Sequence, residues 1–151
     1  MKADWVQYAT GLAALAAGAA AEELFPKTGG AGFPFLLMAA VYFAARRERK
    51  VALVFAVAAG AFEDSLSALP FATSISFFAL AALFVAYTGF VKSAFAFAFP
   101  LYQIWLRMWC SELDGSIATR FLVAFPTGIL AALGAIAALG WLDGKGALDE
   151  R

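Results

Sequence analysis

The chain has 151 residues, of which 64% are hydrophobic and 15% charged, and its formal net charge is zero; its mean hydropathy is +0.81. A soluble domain carries about 45–50% apolar and about 25% charged residues, so this composition excludes an ordinary soluble fold and makes lipid the expected solvent. The chain has no histidine and one cysteine, which excludes histidine-based catalysis, a histidine metal site and an internal disulfide; zero net charge argues against a nucleic-acid partner.

A spanning helix needs roughly 20 mostly apolar residues. The first apolar run, residues 5–24, is rich in Ala and Gly, with small residues four apart at Ala14/Gly18 and Ala17/Ala21. Such pairs let helix backbones approach closely in lipid. This run reads as a retained helix, not a signal peptide, because one basic residue precedes it and it is long for such a leader. Glu22 and Glu23 then read as a solvated helix end, before the breakers Pro26, Gly29 and Gly30. A short second helix is expected over 33–45. Arg46, Arg47, Arg49 and Lys50 close it as a tight cytoplasmic basic turn, facing anionic lipid.

The third helix is expected over 51–69, ending before Pro70, because the residue before proline disfavours helix. The fourth is expected over 71–90, with Thr73, Ser74 and Ser76 in its first turns. A fifth, over 93–109, contains Pro100, a kink signal, and then the interface-type aromatics Tyr102, Trp105 and Trp109. The Phe-Ala alternation of 94–99 reads as lipid-facing filling, and Gln103 and Arg107, one turn apart, as candidates to line a cavity. Residues 111–119 form a polar link, and a sixth helix is expected over 120–142.

The expected architecture is therefore all-α: a single domain over 1–151 made of six transmembrane helices, with five the alternative count. With both termini cytoplasmic, Lys2, Arg46, Arg47, Arg49, Lys50, Lys92, Lys145 and Arg151 lie inside, and Lys27, Arg107 and Arg120 lie outside, in keeping with the positive-inside rule. Cys110 falls near the outer face in this arrangement.

Two adjacent acids, Glu63 and Asp64, lie twelve and thirteen residues into the third helix. At 1.5 Å per residue they sit roughly 18–20 Å into a core of about 30 Å. Intramembrane charge is expensive and needs a reason. Gly60, Asp64 and Ser67 share a helix face, which leaves three readings of the acid pair: a solvated helix end at the outer interface; an inward face on which Asp64 and Ser67 bond across to Thr73, Ser74 or Ser76, or to Arg107 or Arg120; or an acid that couples to an ion or proton. Glu63, rotated about 100° away, reads as the wet or partner-facing member. No Gly-rich phosphate loop, metal-spaced cluster or nucleophile motif is present, so no catalytic, cofactor-binding or metal residues are expected.

The order of these features, and above all Gly60-Ala61-Phe62-Glu63-Asp64-Ser65-Leu66-Ser67 followed by Leu69-Pro70-Phe71, resembles the MreD family of rod shape-determining membrane proteins. The likeness covers about residues 33–87. Gly60 and Asp64 match the family's Gly-x-x-x-Asp pattern, and Ser67 and Pro70 suit the small-polar and proline positions after it. The chain departs from the pattern at Glu63 and at Ala72, where Gly is common. The resemblance implies a fold like the substrate-binding subunits of energy-coupling-factor transporters. It also implies a non-enzymatic scaffold of the bacterial cell-elongation complex in the inner membrane. Its partners would be an MreC-like single-pass protein, MreB-like filaments and peptidoglycan synthases, with Gly60, Glu63, Asp64, Ser67 and Pro70 as partner or structural contacts. The rival expectation is a small-molecule-binding membrane subunit of a vitamin or metal transporter, from the polar set Glu63, Asp64, Gln103 and Arg107.

Overall fold

The computed structural model describes residues 2–24, 33–67, 69–109 and 116–144, and all regular structure among them is α-helical. Six helices are described: α1 (Lys2–Leu24), α2 (Phe35–Arg46), α3 (Arg49–Leu66), α4 (Thr73–Thr88), α5 (Val91–Trp109) and α6 (Ile117–Gly144). Cys110 and residues 111–115 of the polar link lie outside the described residues.

The shortest helix organises the rest. α2 has 12 residues, about 18 Å at 1.5 Å per residue, well short of an apolar core of about 30 Å. It packs against every other helix. Leu36, Leu37, Met38, Ala40, Val41, Tyr42, Phe43 and Ala44 are all buried. A helix that is apolar all round belongs in an interior, and α2 is the central post. Around it, α1 packs on α2 and α3, α4 lies between α3 and α5, and α6 packs on α5 and α2.

The short second helix is as expected, but the six-helix count does not by itself give six membrane spans. Among the described residues, one helix, Ile117–Leu142, is both long and apolar enough to cross a membrane, with 26 residues and a mean hydropathy of 2.2. α4 has 16 residues, and α3 carries Arg49, Lys50, Glu63 and Asp64. The outer face of α6 presents Leu122, Val123, Leu130 and Leu133 to the surroundings, and Leu80, Phe84, Phe97 and Leu101 extend this apolar exterior over α4 and α5.

The α2–α3 connection is as tight as the sequence predicts. Arg46 belongs to the last turn of α2 and Arg49 opens α3, leaving Arg47 and Glu48 between them. At the same end, the Arg49 guanidinium lies 4.5 Å from the centre of the Tyr87 ring near the end of α4, a cation–π contact between antiparallel neighbours.

Three other expectations change. α3 stops at Leu66, three residues before the expected end, and α4 starts at Thr73, two residues late. The 94–99 alternation is not lipid filling: Ala94, Phe95, Ala98 and Phe99 are buried, and Phe97 alone of its aromatics is exposed. α5 follows a 3.6-residue period, so an i, i+2 alternation cannot keep one residue type on one face. Tyr102 is buried as well, in ring contact with Phe77 and Phe78, and so is not an interface aromatic.

Candidate functional site

Each α-helix begins with four N–H groups that lack intrahelical partners. In an apolar setting every one must be satisfied. At α4 the residue best placed to help is Ala72, in the N-cap position, which has no side-chain oxygen. The substitute comes from the preceding helix. The Asp64 carboxylate accepts Ser74 N–H through Oδ1 at 2.7 Å and Ile75 N–H through Oδ2 at 3.4 Å. The backbone supplies the rest, with Thr73 N–H donating to Pro70 O at 3.2 Å and Ser76 N–H to Ala72 O at 3.1 Å. Asp64 therefore acts as a helix cap delivered from ten residues upstream.

Gly60 allows that delivery. A Cβ at Gly60 would lie 2.5 Å from Ile75 Cα, 2.7 Å from Ile75 N and 2.9 Å from Ser74 C. The backbones of α3 and α4 touch here, one turn before Asp64. From the other side, α5 holds the same turn of α4: Tyr102 and Ser74 share a hydroxyl–hydroxyl bond of 2.6 Å, and Trp105 Nε1 donates to Thr73 O at 2.9 Å.

Ala72 has φ +66°, a left-handed conformation that costs an L-residue roughly 1–2 kcal/mol and a glycine almost nothing. Ala72→Gly is expected to leave the fold intact and to raise the thermal unfolding midpoint by a few degrees, the relief of strain exceeding the added unfolded-state entropy. A lower midpoint would count against the left-handed turn.

The same capping device occurs at α2. Its N-cap residue is Pro34, again without a capping side chain. Glu22, at the end of α1, accepts Leu36 N–H through Oε1 at 2.7 Å. Glu22 is 8% exposed. The reading of Glu22 as a solvated helix end is thereby corrected: an acid one turn from a helix end was free to turn inward because α2 starts beside it with an open N–H.

Glu63 is also corrected. It is half-buried, and its Oε1 accepts the Ser67 hydroxyl at 2.9 Å. Ser67 thus pairs with Glu63 and not across to α4, because α3 has ended and Ser67 lies in the turn beyond it. The Glu63 carboxyl faces the same cavity as Glu22. Pro70 is exposed and contributes its carbonyl, which accepts from both Thr73 N and Thr73 Oγ1.

These groups border a cavity of about 190 Å³ at the end of the helix set opposite the basic turn, where α1, α3 and α5 end and α2, α4 and α6 begin. Its polar walls are Glu22, Glu23, Glu63, Ser67, Gln103 and Arg120; its apolar walls include Phe33, Leu37, Phe78, Phe99 and Leu106. Asp64 and Arg107 do not line it. Glu22 could have been found from sequence by one signal: Pro34 and Ala72 both stand at helix starts without a capping oxygen, so each start needs an acid from elsewhere.

No protein-family model, curated protein or solved structure matches the chain.

Proposed function

We propose that this protein is a non-enzymatic membrane scaffold of the MreD kind. It would sit in the bacterial inner membrane with six helices and both termini cytoplasmic, and link an MreC-like single-pass partner, MreB-like filaments and peptidoglycan synthases to maintain cell shape. The observation that carries this reading is the position of Asp64. The acid that matches the family pattern is spent on the N-terminus of α4, beside the Gly60 contact. The segment carrying the resemblance is thus a helix–helix joint, which suits a scaffold.

Two features support the reading. The apolar exterior of α4, α5 and α6 suits lipid or a partner helix. Between α4 and α5 runs an open groove floored by Ala81, Ala94 and Ala98 and rimmed by Phe84, Phe97 and Leu101, and small residues flanked by large ones are the usual seat for a helix in lipid.

Depletion in the native host is expected to turn rods into rounded cells. Ser93→Trp, at an exposed position on the groove, is expected to abolish co-purification of the single-pass partner while the amount of the chain stays normal. Rods that keep their shape after confirmed depletion would overturn the proposal.

A further inference from the structure

The cavity beside the α1 and α3 ends has chemistry that a scaffold does not use. Its walls carry three carboxyls, Glu22, Glu23 and Glu63, against one guanidinium, Arg120. Glu22 and Glu63 line the same cavity, each with one oxygen engaged, by Leu36 N–H and by the Ser67 hydroxyl. Two carboxyls brought together away from water are costly unless a cationic or donor group lies between them.

The second observation is independent of these acids. Gln103 is 4% exposed and lines the cavity. Among the described residues its amide has no hydrogen-bond partner. A buried amide normally finds a partner. This one opens onto the cavity and offers both an acceptor and donors to whatever occupies it.

The apolar walls include the aromatics Phe33, Phe78 and Phe99, which suit an apolar body and, through their ring faces, a cation. Among the described residues no group of three His, Cys, Asp or Glu side chains is disposed to hold a metal ion, so the acids match an organic cation better than a bare one. The volume of about 190 Å³ lies below the about 300–1,000 Å³ of sites for drug-sized ligands.

We propose that this cavity binds a small organic cation, a primary amine on a short apolar body, with the ammonium between Glu22 and Glu63 and the Gln103 carbonyl as its third polar contact. The site is separate from the α4–α5 groove and does not depend on which partners the chain has.

Isothermal titration of the full chain in detergent tests this, with benzylamine and butylamine as probes. Benzyl alcohol and benzoate serve as neutral and anionic counterparts, and magnesium as the bare cation. Saturable binding of at least one amine is expected, with benzyl alcohol at least tenfold weaker and benzoate and magnesium silent. Glu63→Gln and Gln103→Leu are each expected to weaken amine binding at least tenfold, with the thermal midpoint of the ligand-free protein unchanged for Gln103→Leu. Gln103→Leu removes neither a charge nor an internal hydrogen bond, so it carries the test if Glu63→Gln fails to fold. Absence of saturable amine binding, equal binding of benzyl alcohol, a magnesium response in place of the amine, or full binding by Gln103→Leu would each overturn the site. None of these results bears on partner co-purification or cell shape.

Discussion

Gly60→Ala is expected to lower the stability of the purified protein by roughly 3 kcal/mol, and Gly60→Leu to yield no folded protein. Overpacking a core by a methyl group usually costs about 1–3 kcal/mol, because neighbouring side chains shift to new rotamers. At Gly60 the atoms in the way are Ile75 Cα and N and Ser74 C, all backbone and all under 3.0 Å from the added carbon. They have no rotamer to escape to, so α3 and α4 must separate. Separation also lifts Asp64 from the Ser74 and Ile75 N–H groups, so the loss exceeds the clash itself. The gain of about 1 kcal/mol in helix propensity from Gly to Ala is too small to offset this. Gly134→Ala is the matched control: its added carbon would meet nothing closer than Phe35 Cε1 at 3.9 Å, and the same propensity gain should leave it level or slightly stabilised. Thermal unfolding of Gly60→Ala, Gly134→Ala and the parent in one detergent decides the matter. A Gly60→Ala midpoint equal to that of the parent would show that the two backbones do not touch.

Asp64→Ala should cost about 2–3 kcal/mol, which for a chain of this size is a fall of roughly 4–12 °C in midpoint. The substitution leaves two N–H groups at the start of α4 without an acceptor, one of them on Ser74, which is fully buried. Water cannot replace the carboxylate cheaply in that position. Asp64→Asn keeps one oxygen within reach of Ser74 N–H while losing the charge, so its loss should be about half as large. The double variant with Gly60→Ala should lose less than the sum of the single changes, since separated helices have already broken the cap. A loss below 1 °C for Asp64→Ala would mean that α4 satisfies its first turn without help.

The two acids that the sequence places side by side have separate duties. Asp64 closes a helix start, whereas Glu63 faces the cavity that Glu22 also lines. Rotation by 100° between neighbours on a helix is legible in any sequence, and it correctly put them on different faces. What lies on each face is a tertiary matter. Glu63 read as wet because nothing in the sequence says that α1 ends beside α3 with Glu22 facing inward. Gln103, by contrast, was legible as a cavity-lining residue and does line the cavity, whereas its companion candidate Arg107 does not; only the packed structure shows that Glu22 shares that cavity.

Composition alone set the expectation of lipid as solvent, and the spacing of breakers determined six helical segments, with boundaries that held to within about three residues. The Gly60/Asp64 pair was legible because a glycine four residues before an acid puts a close approach and a polar group on one face. The central position of α2 was not legible. A short apolar helix reads the same whether lipid or five other helices surround it, because both solvents reward the same residues. The partner of Asp64 was legible as far as the first turn of α4, where Ser74 was one of the residues named, but that the contact is a cap on the backbone N–H groups was not. For Glu22 the sequence signals an uncapped start at Pro34, and only the packed structure shows which acid, fourteen residues away, closes it.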